Sequence, residues 1–403
     1  MAIDRNFSLF TLLLVAAGHF IIDFYLEILP PLMPTIMDKI GFSMTLAGLL
    51  FTVNSIASSW SQPLFGYLGD RHRWKYVLPV SILWIAVLMG SVGAAHTFPL
   101  LLFITTMAGL GSAVYHPIGS VAAASFSSEY RGFVTSAYVT VGILGSAMAP
   151  LAAIKVKEWG GLEGLYVIAV PGIILAVLLA LQIRSHSMED VGEKEVSAAA
   201  EESDDKGGDS PISAFKDISG MRWLFLLMVI MSLRAWAIRA FTVFIPTYYF
   251  NLGMEEVFGA RVLSMFLFSQ GVGGIAGGLC ADRIGRKQTI FYTCALSIAF
   301  LLGFFYSSGI LSLVFLWAGG AALNSAFPVS VVFAQEVNPN NQNFASGVMI
   351  GLTFGIGGLG ALFTGSLTDL FGGNLDLALK TNIVALIVSL VITSFLPSDR
   401  KPA

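Results

Sequence analysis

Gly66-Tyr-Leu-Gly-Asp70-Arg71-His-Arg73-Trp-Lys75 and Gly278-Leu-Cys-Ala-Asp282-Arg283-Ile-Gly285-Arg286-Lys287 are two decapeptides of one pattern, 212 positions apart. Each interrupts a long apolar run with a Gly-x-x-x-Asp-Arg core and a basic tail. Working outward, Pro117 aligns with Pro328 at an offset of 211 and Pro30 with Pro246 at 216. One such pair arises easily by chance, whereas three in order mark the duplication of a six-helix unit. Two related halves in so hydrophobic a chain are the build of a membrane transporter rather than of an enzyme or a receptor.

Composition agrees. Hydrophobic residues make up 56% of the 403 and charged residues 12%, with a mean hydropathy of +0.78. A soluble domain carries about 25% charged residues, so this chain cannot cover itself with a water-facing surface. The 42 glycines suit membrane helices, in which small residues let backbones approach closely. Cys280 and Cys294 offer no disulfide or metal framework and read as small packing residues. The first apolar run lacks a small-residue cleavage site and outlasts a signal segment, so it reads as the first span.

A span needs about 20 apolar residues. On that ruler the expected spans are 8–37, 44–69, 76–95, 99–126, 132–156 and 161–183, then 219–250, 257–281, 288–306, 309–335, 342–371 and 375–396. The expected fold is an all-α membrane protein of twelve transmembrane helices in two pseudo-symmetric six-helix halves, 1–183 and 219–403. Between them, 184–218 is strongly acidic: from Glu189 to Asp209 the only bases are Lys194 and Lys206. It reads as a solvated linker; partner docking is the other reading.

Of the 22 Lys and Arg, Lys39, Lys155, Lys157, Arg261 and Lys380 fall in loops on one side, and Arg234 and Arg239 inside a span. All the rest lie on the side of both termini, the linker and the two decapeptides. The positive-inside rule makes that side cytoplasmic.

Charged and polar groups within the spans are the candidate site. His19, Asp23 and Glu27 recur at i, i+4 and i+8, one helical face. A carboxylate at membrane depth is costly, so it faces a water-filled cavity or a partner and is readily neutralised. Proton coupling through Asp23, Glu27, His19 and His116 is one reading; a fixed ion pair and packed histidines are the other. His116 precedes Pro117, which frees a carbonyl and permits a bend.

Arg239 occupies the position symmetric to Asp23 in the repeat, and Arg234 lies about 140° away around the same helix. Both are candidates for an anionic substrate, with Asn324 and His116 as further polar partners. On this expectation Arg239 and Asp23 face each other and an anion and a proton compete for the pair. The alternative is that the arginines only neutralise Asp23, Glu27 or Glu336. Phe24, Tyr25, Tyr115, Trp236 and Tyr248 could floor a pocket, or simply pack. Asp70, Arg71, Arg131, Asp282, Arg283 and Glu336 are expected at the cytoplasmic mouth, where carboxylates meet helix ends and arginines. There they either latch the halves together or only set topology.

The two turns resemble those of the major facilitator superfamily. Other strings resemble its fosmidomycin-resistance group: Gly18-His19-Phe20 with Asp23, Gln62-Pro63, Gly111-Ser112, His116-Pro117 with Ser120, and Arg131-Gly132. Gly142 with Gly145 and Pro150, Ala334-Gln335-Glu336 with Pro339, Ser346-Gly347 and the glycine run from Gly355 to Gly360 extend the match. The first turn departs from the pattern, with Arg73 and Trp74 where x-Gly is usual. The resemblance implies a bacterial inner-membrane exporter of a drug or organic anion, driven by proton exchange and working by alternating access. Expected partners are a small-molecule substrate, protons and the lipid bilayer; no cofactor, metal or nucleic acid is expected, and the chain is expected to be a monomer. Proton-coupled uptake of an organic anion is the rival within the class. A membrane enzyme lacks any metal-ligand cluster, Ser-His-Asp set or nucleotide loop in its support. A non-transporting sensor would need the acidic linker as its output segment.

Overall fold

Pro30 and Pro31 decide where the first apolar run bends. Proline lacks the N–H that would bond four residues back and continue a helix, although Leu29 before Pro30 itself keeps right-handed helical angles. Helix α1 accordingly spans Leu9–Leu26 and stops; a 3₁₀ turn at Pro30–Leu32 follows, then α2 at Met33–Ile40, closed by Gly41 in the left-handed region. Glu27 falls in the turn after α1. The i, i+4 pair His19 and Asp23 lies within α1, and Glu27 lies one residue beyond its end.

The computed structural model describes residues 9–71, 75–127, 130–185, 218–339 and 342–397. The linker 186–217 and Arg73 lie outside the described residues, as do the side chains of Asp70 and Arg131. Every regular element among the described residues is helical. After α2 come α3 (Met44–Trp60), α4 (Gln62–Arg71), α5 (Val77–Gly90), α6 (Phe98–Ala124), α7 (Arg131–Gly160) and α8 (Ala169–Ser185). The second series is α9 (Ile218–Asn251), α10 (Glu256–Ile284), α11 (Arg286–Tyr306) and α12 (Gly309–Val337). It ends with α13 (Gln342–Gly347), α14 (Thr353–Gly357), α15 (Leu359–Leu370) and α16 (Leu375–Ser394).

Eleven helical runs among the described residues are long and apolar enough to cross a membrane. With α3 and α4 taken as one interrupted span the total is twelve. The outer faces explain the composition. On α8, Val170, Ile173, Ile174, Val177, Leu178 and Leu181 are exposed while Leu175, Ala176, Leu179 and Ile183 are buried. A helix apolar on both faces is stable only where its outer face meets lipid.

Span 11 is the least regular. Residues 342–371 form α13, a wide π turn at Val348–Leu352, then α14 and α15 with a break at Gly358. π turns inside helices are rare and recur at functional sites.

The described chain groups into two compact units. Of the described residues, one unit holds those up to Ile28 and from Trp60 to Ser185, and the other holds Leu29–Ser59 and those from Ile218 on. In the first unit, α1 lies against α7 so closely that a Cβ on Gly145 would strike the Phe20 carbonyl. In the second, Gly273 and Gly277 bring α10 onto the backbone of α12 at Ala321 and Ser325. Such contacts join helices where no hydrophobic effect between them operates.

Candidate functional site

The first unit carries a buried polar cluster. Asp23 on α1 lies between two imidazoles: His19 Nε2 is 3.4 Å from its Oδ2, and His116 Nε2, on α6, is 3.3 Å from its Oδ1. The side chains are 18% exposed for Asp23, 7% for His19 and 23% for His116. Spacing of four residues puts His19 and Asp23 on one face of α1. His116 reaches them from α6, and its ring meets that of His19 edge-on at 5.1 Å.

Helix α7 completes the cluster through Tyr138 and Gly142, again four residues apart. The Tyr138 ring stacks on His19 at 4.2 Å, and its backbone carbonyl accepts a hydrogen bond from His19 Nδ1 at 2.9 Å. Gly142 provides the room: a Cβ there would lie 2.5 Å from both Asp23 Oδ2 and His19 Cε1.

The bond to Tyr138 orients the His19 ring. A carbonyl only accepts, so His19 Nδ1 carries hydrogen, and the Nε2 of a neutral ring is then a lone pair. That lone pair faces a carboxylate oxygen. With no further proton, two acceptors would stand 3.4 Å apart in a poorly hydrated place. His116 offers a second proton-accepting group on the opposite oxygen. The three donor atoms lie within 4.8 Å of one another, the one such convergence of His, Cys, Asp or Glu triples among the described residues.

In the second unit the two arginines of α9 have different surroundings. Arg234 is fully buried. Its guanidinium donates to the carbonyls of Ala322 (2.6 Å) and Leu323 (2.9 and 3.2 Å) on α12, and to Ile290 O and Thr293 Oγ1 (each 3.3 Å) on α11. None of these partners is a carboxylate. Arg234 pins three helices together, and the forked geometry of guanidinium suits it to several carbonyls at once. That occupancy corrects the expectation of a substrate-binding Arg234. Arg239, partly buried, lies 5.4 Å over the Phe51 ring, an arrangement that stabilises a cation.

Asn324 on α12 donates to the backbone carbonyl of Gln270 on α10 at 3.0 Å, so part of its polar capacity joins helices. Tyr25 and Tyr115 are buried and bonded to the carbonyls of Ile168 (2.8 Å) and Val15 (2.6 Å). They are packing residues rather than a pocket floor. Tyr248 faces Asp376 at 3.4 Å.

At the other end of the spans, Glu336 pairs with Arg286 at 2.7 Å. Arg286 opens α11 beside the end of α12, which brings it within reach. Asp282 and Arg283 are exposed, and Arg71 lies over the Tyr67 ring at 4.6 Å. Lys287 donates to the carbonyls of Ser394 (3.0 Å) and Leu396 at the end of α16. The basic tail of the second decapeptide thus ties α11 to α12 and α16 within one unit.

Comparison with known proteins agrees with this architecture. The sequence model of the Major Facilitator Superfamily matches residues 15–362, and the chain belongs to that superfamily. It is a multi-pass membrane transporter protein and not an enzyme. It is 27% identical to the fosmidomycin resistance protein of Escherichia coli (strain K12), over 96% of this chain and 92% of that one. It is 29% identical to the uncharacterized MFS-type transporter YfnC of Bacillus subtilis (strain 168), over 97% and 93%. Among solved structures, a bacterial homologue of the human lysosomal transporter Spinster, inward-facing and unoccupied, superposes with a TM-score of 0.77 at 15% identity, covering 95% of each chain.

Proposed function

We propose that this chain is a proton-coupled secondary transporter of the bacterial inner membrane. It exports a small polar or anionic compound, of the class of fosmidomycin or an organic anion, by alternating access between halves 1–183 and 219–403. Its termini and the acidic linker face the cytoplasm, and it works as a monomer. The observation that carries the reading is Asp23 held between His19 and His116.

Asp23 lies about 21 Å along α1 at 1.5 Å per residue, well inside a hydrocarbon core of about 30 Å. Only a group that gains and loses a proton repays a carboxylate at that depth. The His19–Asp23 contact is stable with its proton and repulsive without it. Proton loss therefore loosens α1 from α6 and α7, and proton gain restores the packing. Glu27, in the turn after α1, receives protons at one end of that path. Arg239, held over Phe51, takes the acidic group of the cargo, with Asn324 and His116 as further polar contacts. Asp70, Arg71, Arg131, Asp282, Arg283 and Glu336 form the cytoplasmic gate. Similarity to the fosmidomycin resistance protein supports export, and a phosphonate is the first cargo to try.

The test uses purified protein in liposomes loaded with a pH-sensitive dye, with fosmidomycin and then a panel of organic anions added. Proton movement that depends on substrate is the expected result. Labelled substrate that equilibrates without any proton movement would make the protein a facilitator. Substrate accumulation along an inward proton gradient on the same side would make it an uptake system.

A further inference from the structure

Thr52 of α3 is inserted into the backbone of span 11. In an unbroken helix the N–H of Leu362 would bond to the carbonyl of Gly358, four residues back. Here the Thr52 hydroxyl bridges that step: it accepts from Leu362 N at 3.3 Å and donates to Gly358 O at 2.7 Å, while Gly358 O also accepts from Ala361 N at 3.2 Å in a tightened turn. A side chain inserted into the ladder is a recognised cause of a helix break, and the break at Gly358 between α14 and α15 falls at this point.

The same seam is clamped at its far end. Asp369, next to last in α15, accepts from Met44 N (3.2 Å), Thr45 N (2.8 Å) and Thr45 Oγ1 (2.5 Å). These are first-turn N–H groups of α3, which lack partners in their own helix and favour an anion. Ser43 belongs to the same clamp: its side chain hydrogen-bonds Asp369 as well as holding Leu46 N at 3.4 Å. Between clamp and wedge the helices touch through small residues. A Cβ on Gly365 would strike Met44 O, and one on Gly48 would strike Ala361 O. The seam is close, and Asp369 at one end and Thr52 at the other join it by hydrogen bonds.

We propose that Asp369 and Thr52 form the outer latch and hinge pin of the transport cycle. With the seam shut, Asp369 caps α3 and Thr52 holds span 11 bent. When α3 and α15 part, Ser43 and water cap α3, and the Leu362 N to Gly358 O bond re-forms and straightens span 11. Both states keep their backbone groups satisfied, which is what a two-state element requires. The π turn at Val348–Leu352 lies close before Gly358 and absorbs the change in pitch. The outer placement rests on the orientation proposed above; the latch itself rests on the contacts alone.

The experiment attaches spin labels to Asp38→Cys and Leu370→Cys, both exposed positions near the seam, after Cys280→Ser and Cys294→Ala. The parent protein should show a dominant short distance. Asp369→Ala and Thr52→Val should each raise the long-distance population about fivefold, the factor corresponding to loss of a helix cap. Thr52→Ser, which keeps the hydroxyl, should leave it unchanged. Gel filtration establishes that each variant is folded, and Asp369→Asn replaces Asp369→Ala if the latter is not. Unchanged distances in folded Asp369 and Thr52→Val variants would overturn the proposal. Labelling of Leu370→Cys by an impermeant thiol reagent in whole cells supports the outer placement; labelling only from the cytoplasmic face would overturn that placement, whatever the distances do.

Discussion

His19 Nδ1 donates to the backbone carbonyl of Tyr138, 2.9 Å away on α7, and this single bond determines what the rest of the cluster can do. With Nδ1 donating to the carbonyl, the other ring nitrogen, Nε2, is the one that faces Asp23, at 3.4 Å. A backbone carbonyl serves this purpose better than a side chain because it cannot swing away or titrate.

Replacing His19 with Asn keeps a donor near the Nδ1 position and removes Nε2. The folded yield should be near that of the parent protein. The pH dependence of transport should flatten, because the facing groups Asp23, His116, Tyr138 and Tyr115 then lack the partner that shares the Asp23 proton. In the parent protein, acidifying the outer compartment supplies the proton and should speed export, while raising the outer pH should slow it. Export rates measured from pH 5.5 to 8 check both statements; an undiminished pH response in His19→Asn would contradict them.

Gly142→Ala places a methyl 2.5 Å from Asp23 Oδ2 and His19 Cε1. Alanine favours helix more than glycine does, so α7 itself should tolerate it. Crowding of this kind costs about 1–3 kcal/mol, enough to displace the carboxylate from its imidazoles. Substrate-driven proton flux should fall about tenfold or more at similar expression. Flux equal to the parent's would show that the site is looser than the contacts indicate.

Arg234→Lys keeps the charge and loses the fork. Its carbonyl partners on α11 and α12 cannot all be reached by one ammonium. The loss should be about 1–3 kcal/mol, read as a lower thermal midpoint in detergent, with substrate affinity of the folded fraction unchanged. An unchanged midpoint combined with lost affinity would return Arg234 to the substrate site.

Arg239→Gln should abolish transport of acidic cargo while leaving expression intact. Counterflow of a labelled organic anion measures it; retained transport would remove the anion site from this account.

The apolar runs, their lengths and the paired decapeptides made the helical architecture and the two related halves readable from the chain, because burial in lipid demands long apolar helices wherever they occur. The local departures were less readable. The span expected over 8–37 ran through Pro30 and Pro31, and Glu27 proved to lie one residue past α1, because periodicity alone does not say where a helix stops. The π turn and the Thr52 wedge depend on a neighbour that approaches only in the folded protein. At the site, the four-residue spacing of His19 and Asp23 and the close-contact glycine Gly142 were visible, but the meeting with His116 required the packing of α6. Tyr138 was missed because it acts through its carbonyl, which every residue possesses. Arg234 was misread for a related reason: its partners are mainly backbone carbonyls, and no charge pattern reveals them.

The central claim is that Asp23 carries the proton. The direct measurement compares parent protein and Asp23→Asn in liposomes containing a pH-sensitive dye, with fosmidomycin added and labelled substrate followed in parallel. The account predicts substrate-dependent proton movement in the parent and none in Asp23→Asn. Proton movement of similar size in Asp23→Asn would contradict it and move the proton to Glu27 or a histidine.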